Sequence, residues 1–144
     1  MNERPKKNFT LVVDGNDGTG KTTLVESLRQ CGFKVKDRGI ITKMTDDQTL
    51  QPNNDECYVI LDVPVEVSRA RLIMAKKDLT DKYHTIADLT YYRERFIDIA
   101  KNRLTRARWL IDASGSKNDV LDLVIRSITL LERFGSFHLV RENE

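Results

Sequence analysis

The sequence predicts an α/β fold, a mostly parallel sheet with helices on both faces. Three observations carry that prediction. Short continuous apolar runs rich in β-branched residues recur along the chain, the pattern of strands buried on both sides. Between them lie segments whose apolar residues recur every three or four positions, the helical period. The two kinds of segment alternate throughout, the order that builds parallel strands joined by crossover helices.

The first strand is expected over residues 9–14, stopping at Gly15. Residues 22–30 carry Leu24, Val25 and Leu28 at helical spacing, and Gly32 supplies a helix stop. Residues 33–36 alternate apolar and polar, which suits an exposed or edge strand. Residues 39–56 are polar and turn-prone, so a loop with at most one short helix is expected there. A second buried strand follows at 58–62, and Pro64 opens a helix reaching about residue 77, since the missing N–H of proline is not needed in a first turn. After a polar stretch, 78–85, a longer helix begins near Asp88, with Leu89, Tyr92, Phe96 and Ile99 on one stripe. A third strand, 109–113, closes at Ser114-Gly115, and a last helix over 119–134 faces the core with Val120, Val124, Ile128 and Leu131.

The 144 residues suit one domain, and 40% hydrophobic content is enough for a core, which excludes wholesale disorder. Lys and Arg total 24 against 22 acidic residues, a net charge of +2 that does not support a long nucleic-acid footprint. No apolar run nears the roughly 18 residues of a membrane span, and the polar residues 1–8 read as a tail rather than a secretory signal. Cys31 and Cys57 lie far apart, without metal-ligand spacing, as expected of idle thiols in a reducing cytoplasm.

The strongest motif is Gly15-Asn16-Asp17-Gly18-Thr19-Gly20-Lys21-Thr22, a match to G-x-x-x-x-G-K-[ST] between a predicted strand and a predicted helix. The glycines let successive backbone N–H groups turn toward phosphate oxygens, and the start of the following helix adds positive potential. Lys21 supplies a charge for the β- and γ-phosphates, and the Thr22 hydroxyl is placed to ligate Mg²⁺, with Thr23 completing the turn. The expectation is binding of a nucleoside triphosphate, in the fold of P-loop NTPases.

The loop and its surroundings resemble the thymidylate kinase family, here a short member. That family carries an acidic residue before the first glycine, Asp-Gly inside the loop and Gly-Lys-Thr-Thr at its end, matched by Asp14, Asp17-Gly18 and Gly20-Lys-Thr-Thr23. Three further blocks follow in the family's order: Leu61-Asp-Val-Pro64-Val-Glu-Val67 with Arg71; Tyr92-Arg93-Glu-Arg-Phe96; and Ile111-Asp-Ala-Ser114. The resemblance implies that Asp17 contacts the acceptor sugar and that Ser114 and its neighbours hold adenine. It also implies that Arg38 grips the acceptor phosphate, while Asp37 holds a Mg²⁺-bound water or orients the attacking oxygen. Cationic residues between 69 and 82, Arg71 foremost, occupy the lid's position, about 76–86, and Arg93 ranks behind them. Where the family lid has Asp-Arg, this chain has Asp81-Lys82.

The resemblance thins between residues 31 and 57, where the family has two strands and several helices around the acceptor base. Either one strand is missing and Asp37-Arg38 belongs to the survivor, or the pair belongs elsewhere and its assignment lapses. A homodimer could complete the missing wall. His84 and His138 lack partner patterns, and Asp62 and Asp112 read as strand-end residues capping turns or serving Mg²⁺. The leading expectation is ATP-dependent phosphoryl transfer to a deoxynucleoside monophosphate, thymidylate by resemblance. The alternatives are a 5′-hydroxyl kinase of a nucleoside or polynucleotide, with Asp37 or Asp14 as base, and an ATP-binding module without catalysis.

Overall fold

In the computed structural model the described residues are 6–104 and 107–143. The apolar runs form parallel strands: β1 (Lys7–Gly15), β2 (Val35–Asp37), β3 (Glu56–Asp62) and β4 (Arg108–Asp112), in the order β2-β1-β3-β4. Between them run helices α1 (Lys21–Gln30), α2 (Ile40–Met44), α3 (Val65–Met74) and α4 (Ile86–Asp98), the last continuing into a π-helical turn, Ile99–Arg103. The chain then adds α5 (Lys117–Phe134) and a short strand, β5 (Phe137–Leu139), parallel to the start of β1.

Strand pleating divides the interior in two, because successive side chains point to opposite faces. Leu11 and Val13 of β1 join Cys57, Val59 and Leu61 of β3 on the face covered by α1 and α5. Val12, Tyr58 and Ile60 point the other way, onto Ile41 and Met44 of α2 and Tyr92 and Phe96 of α4. The helices thus cover both faces, and the α/β class expected from the sequence is the observed one. No helix among the described residues is long and apolar enough to cross a membrane.

Several boundaries differ from expectation. β1 begins at Lys7, because Lys7 to Phe9 pair with β5, so only residues 1–5 of the expected tail lie outside the described residues. The edge strand is β2, at 35–37 rather than 33–36; Phe33 instead bridges antiparallel to Arg141. Asp37 is the last residue of β2, opposite Val13 of β1, and Arg38 follows it directly. α3 stops at Met74 and α4 starts at Ile86, where the Thr85 side chain accepts from the Asp88 N–H. The cysteines differ in surroundings: Cys31 is exposed at the end of α1, and Cys57 is buried within β3.

Candidate active site

The parallel strands all end at one edge, and the glycine-rich loop spans it from β1 to α1. Gly15 lies at φ +136°, and a Cβ there would meet the Leu61 carbonyl oxygen at 2.5 Å, so only glycine lets β1 run this close to β3. Gly18 lies at φ +77°, with the Ser68 carbonyl oxygen 2.7 Å from where its Cβ would be. The loop is thereby seated on α3.

Lys21 folds back over the loop. Its ammonium donates to the carbonyls of Gly15 at 2.8 Å and Asn16 at 2.5 Å, and the residue is 5% exposed. Burial, and then the Arg38 charge, lower its pKa from 10.5 to about 8. Asn16 ties the loop to the opposite layer by donating to the Leu89 carbonyl at 2.7 Å. Asp14 is fully buried and accepts from the N–H groups of Gly15, Gly39 and Thr42 and from the Thr42 hydroxyl. Burial raises its pKa, partly offset by those hydrogen bonds. Both its oxygens are engaged in pinning α2 to β1, which removes Asp14 from the candidates for a general base.

Asp17 is the hub of the site. One oxygen accepts from Arg38 at 2.6 Å and lies 3.9 Å from the Lys21 ammonium. The other faces the His84 ring at 3.0 Å. His84 is the residue that sequence reasoning missed: it lies 67 positions away, and no spacing pattern links a lone histidine to a loop aspartate. Arg38 stands at φ +65° just beyond β2. Asp37 is exposed, and its charge acts on Lys21 to favour the ammonium form.

Three cavities surround the loop. On one side, about 250 Å³ is enclosed by Thr19, Gly20, Thr23, Arg71, Ala113, Gly115 and Val120. In the middle, about 380 Å³ lies against Asp17, Gly18, Gly20, Lys21, Thr22, Arg38, Lys77 and His84. On the other side, a smaller aromatic-walled space of about 90 Å³ is lined by Asn16, Asp17, Arg38, Thr42, Tyr83, Tyr92 and Phe96. Asp17 and Arg38 border both of the last two.

The remaining expected residues are distributed as follows. Arg71 reaches from α3 to donate to the carbonyls of Ala113, at 2.7 Å, and Gly18, at 3.4 Å, bridging loop and β4. Ser114 is exposed and is not among the lining residues of the first cavity; its N–H caps onto Asp112 at 3.0 Å. Asp112 is therefore the turn-capping residue it was expected to be. Asp62 is held by both Nε and Nη2 of Arg93, at 2.9 and 3.1 Å. Tyr92 is core, donating to Asp46, while Tyr91 is exposed. No cluster of three metal-ligating side chains exists among the described residues. Thr22 lies in the first turn of α1 and Asp37 ends β2 on this edge, and hydroxyl and carboxylate oxygens are of the kind Mg²⁺ takes beside waters and substrate phosphates.

No protein-family model matches the chain. Bifunctional cordycepin biosynthesis cluster protein 3 of Cordyceps militaris is 31% identical over 116 residues, covering 62% of this chain. The chain spans 13% of the length of that relative. Among solved structures, a gluconokinase from Sinorhizobium meliloti 1021 matches with a TM-score of 0.59 at 12% identity, over 91% of this chain and 97% of that one. At that identity the likeness is one of fold. The chain shares the α/β fold of that kinase, with the glycine-rich loop at its first strand-to-helix turn.

Proposed function

We propose that the chain is an ATP-dependent kinase whose acceptor is a small nucleotide, a deoxynucleoside monophosphate in the leading reading and thymidylate by resemblance. One observation carries the reading: the cavity over Lys21 shares lining residues with one on either side, Gly20 and Thr23 with the larger and Asp17 and Arg38 with the smaller. The larger side cavity suits the donor nucleoside, and the aromatic one suits part of the acceptor. Phosphoryl transfer demands little covalent chemistry of the protein; it demands alignment and compensation of spreading charge. Lys21 lies buried against the loop carbonyls, from which a polyphosphate would draw its ammonium. Arg38, now on Asp17, offers a planar fork to an acceptor phosphate, leaving Asp17 to the sugar. Arg71 fastens the donor wall. The connection between α3 and α4 serves as a lid that keeps water from competing as acceptor. Thr22 and Asp37 would hold Mg²⁺, which when bound neutralises the donor phosphates.

A hydroxyl acceptor is the second reading, favoured by the Asp17 carboxylate at the cavity border, where a general base would be wanted. Each acceptor, as monophosphate, nucleoside and 5′-hydroxyl oligonucleotide, would be incubated with Mg-ATP and the products weighed by mass spectrometry. The expected result is a diphosphate from thymidylate, reduced by about two orders of magnitude or more in Lys21→Ala. Arg38→Ala should then raise the KM for the monophosphate by about tenfold or more. Phosphate landing only on a hydroxyl would replace the leading reading by the second. ATP binding with no acceptor used would sink both.

A further inference from the structure

His84 sits in the connection between α3 and α4, 15% exposed at its side chain, with both ring nitrogens engaged. Nδ1 lies 2.9 Å from the Asp78 carbonyl oxygen, within the same connection. Nε2 lies 3.0 Å from Asp17 Oδ2 in the phosphate loop. A carbonyl only accepts, so Nδ1 carries a proton. Nε2 faces a carboxylate that also accepts from Arg38. The ring thus sits between two acceptor oxygens, one in its own connection and one in the phosphate loop. The charges facing the ring are Asp17, with Arg38 and Lys21 behind it, and Asp78; Arg69 of α3 donates to the His84 carbonyl at 2.9 Å.

We propose that His84 is a positioning residue of the transfer site: it latches the lid to the phosphate loop through Asp17 and sets both over the transferred group. This rests on the kinase reading given above. Two features support it. The latch closes across the central cavity, which His84 and Lys77 line from the lid side, opposite Lys21. Its neighbour Tyr83, held at φ +76°, lines the acceptor cavity with its ring 4.8 Å from that of Tyr92. Adjacent lid residues thus address adjacent cavities, and one contact orders both. By holding one oxygen of Asp17, His84 also leaves the other to Arg38 or to an acceptor hydroxyl.

The test uses the full chain with His84→Ala and His84→Gln, the latter keeping a donor for one partner. Deuterium uptake of residues 76–86 and the ratio of acceptor phosphorylated to ADP formed are both measured. In His84→Ala, uptake across that segment should rise about tenfold or more in rate. The ratio should fall as water competes for the phosphoryl group, with partial recovery of both in His84→Gln. A histidine that merely packs would lower stability without changing that ratio. Unchanged uptake in His84→Ala would overturn the latch whatever the activity. Raised uptake with an unchanged ratio would overturn its positioning role. If the wild type phosphorylates no acceptor, the kinase reading fails by itself, and the uptake comparison still decides whether the latch exists.

Discussion

At the scale of single residues, the site is built on charges held out of water. Lys21 is the extreme case, with its folded-state pKa near 8 against 10.5 when free. Between those values the unfolded chain binds more protons than the folded one, so stability attributable to Lys21 rises with pH across that window. Wild type should therefore gain unfolding free energy relative to Lys21→Met between pH 8 and 10.5, by about 3 kcal/mol at most. Urea titrations of both proteins at several pH values measure this, and parallel curves would refute it. The same burial means the ammonium is held ready at a cost that a bound polyphosphate would relieve. Asp14 shows the opposite use of a charged residue. Its carboxylate is consumed in joining β1 to α2, and its place beside the glycine loop did not reveal that.

At the scale of elements, the contact between the loop and α3 sets the geometry. Gly18→Ala combines left-handed strain with a Cβ 2.7 Å from the Ser68 carbonyl, which is backbone and cannot swing aside. The substitution should lower stability by about 2–4 kcal/mol, read from chemical denaturation, and weaken ATP binding with it. An unaltered stability would mean that α3 does not rest on the loop. Elements of this kind were legible in the sequence wherever burial is two-sided or the helical stripe is long. β1, β3, α4 and α5 all met one of those conditions, while β4, an edge strand with only Ile111 buried, was legible from its apolar run. The three-residue β2 starts two positions later than expected because only Val35 in it is buried, too short a run to fix its bounds. β5 was missed altogether: three residues after Gly135-Ser136 hold no periodicity, and their place depends on a partner some 130 positions earlier. The site was legible to the same degree. Loop residues in one stretch were visible as a motif, whereas the convergence of Asp17, Arg38 and His84 is a product of topology.

At the scale of the whole molecule, the edge of the sheet opposite the site is closed by the last strand. Phe137 packs its ring 4.6 Å from Phe9, Leu139 is fully buried, and Arg141 forks onto Glu132 at 2.8 and 2.9 Å. Leu139→Ala should cost about 2–5 kcal/mol by thermal or urea unfolding. A stability near that of wild type would show that β5 is dispensable to the core. The two cysteines carry a practical consequence at this scale. Burial pushes the Cys57 thiol pKa up and out of reach of alkylating reagents, while Cys31 stands in solvent at the end of α1 away from the loop. The chain therefore comes with one natural attachment point for a dye, at the end of α1 remote from the loop. A second label engineered between α3 and α4 would make any movement of that connection a distance readable one molecule at a time.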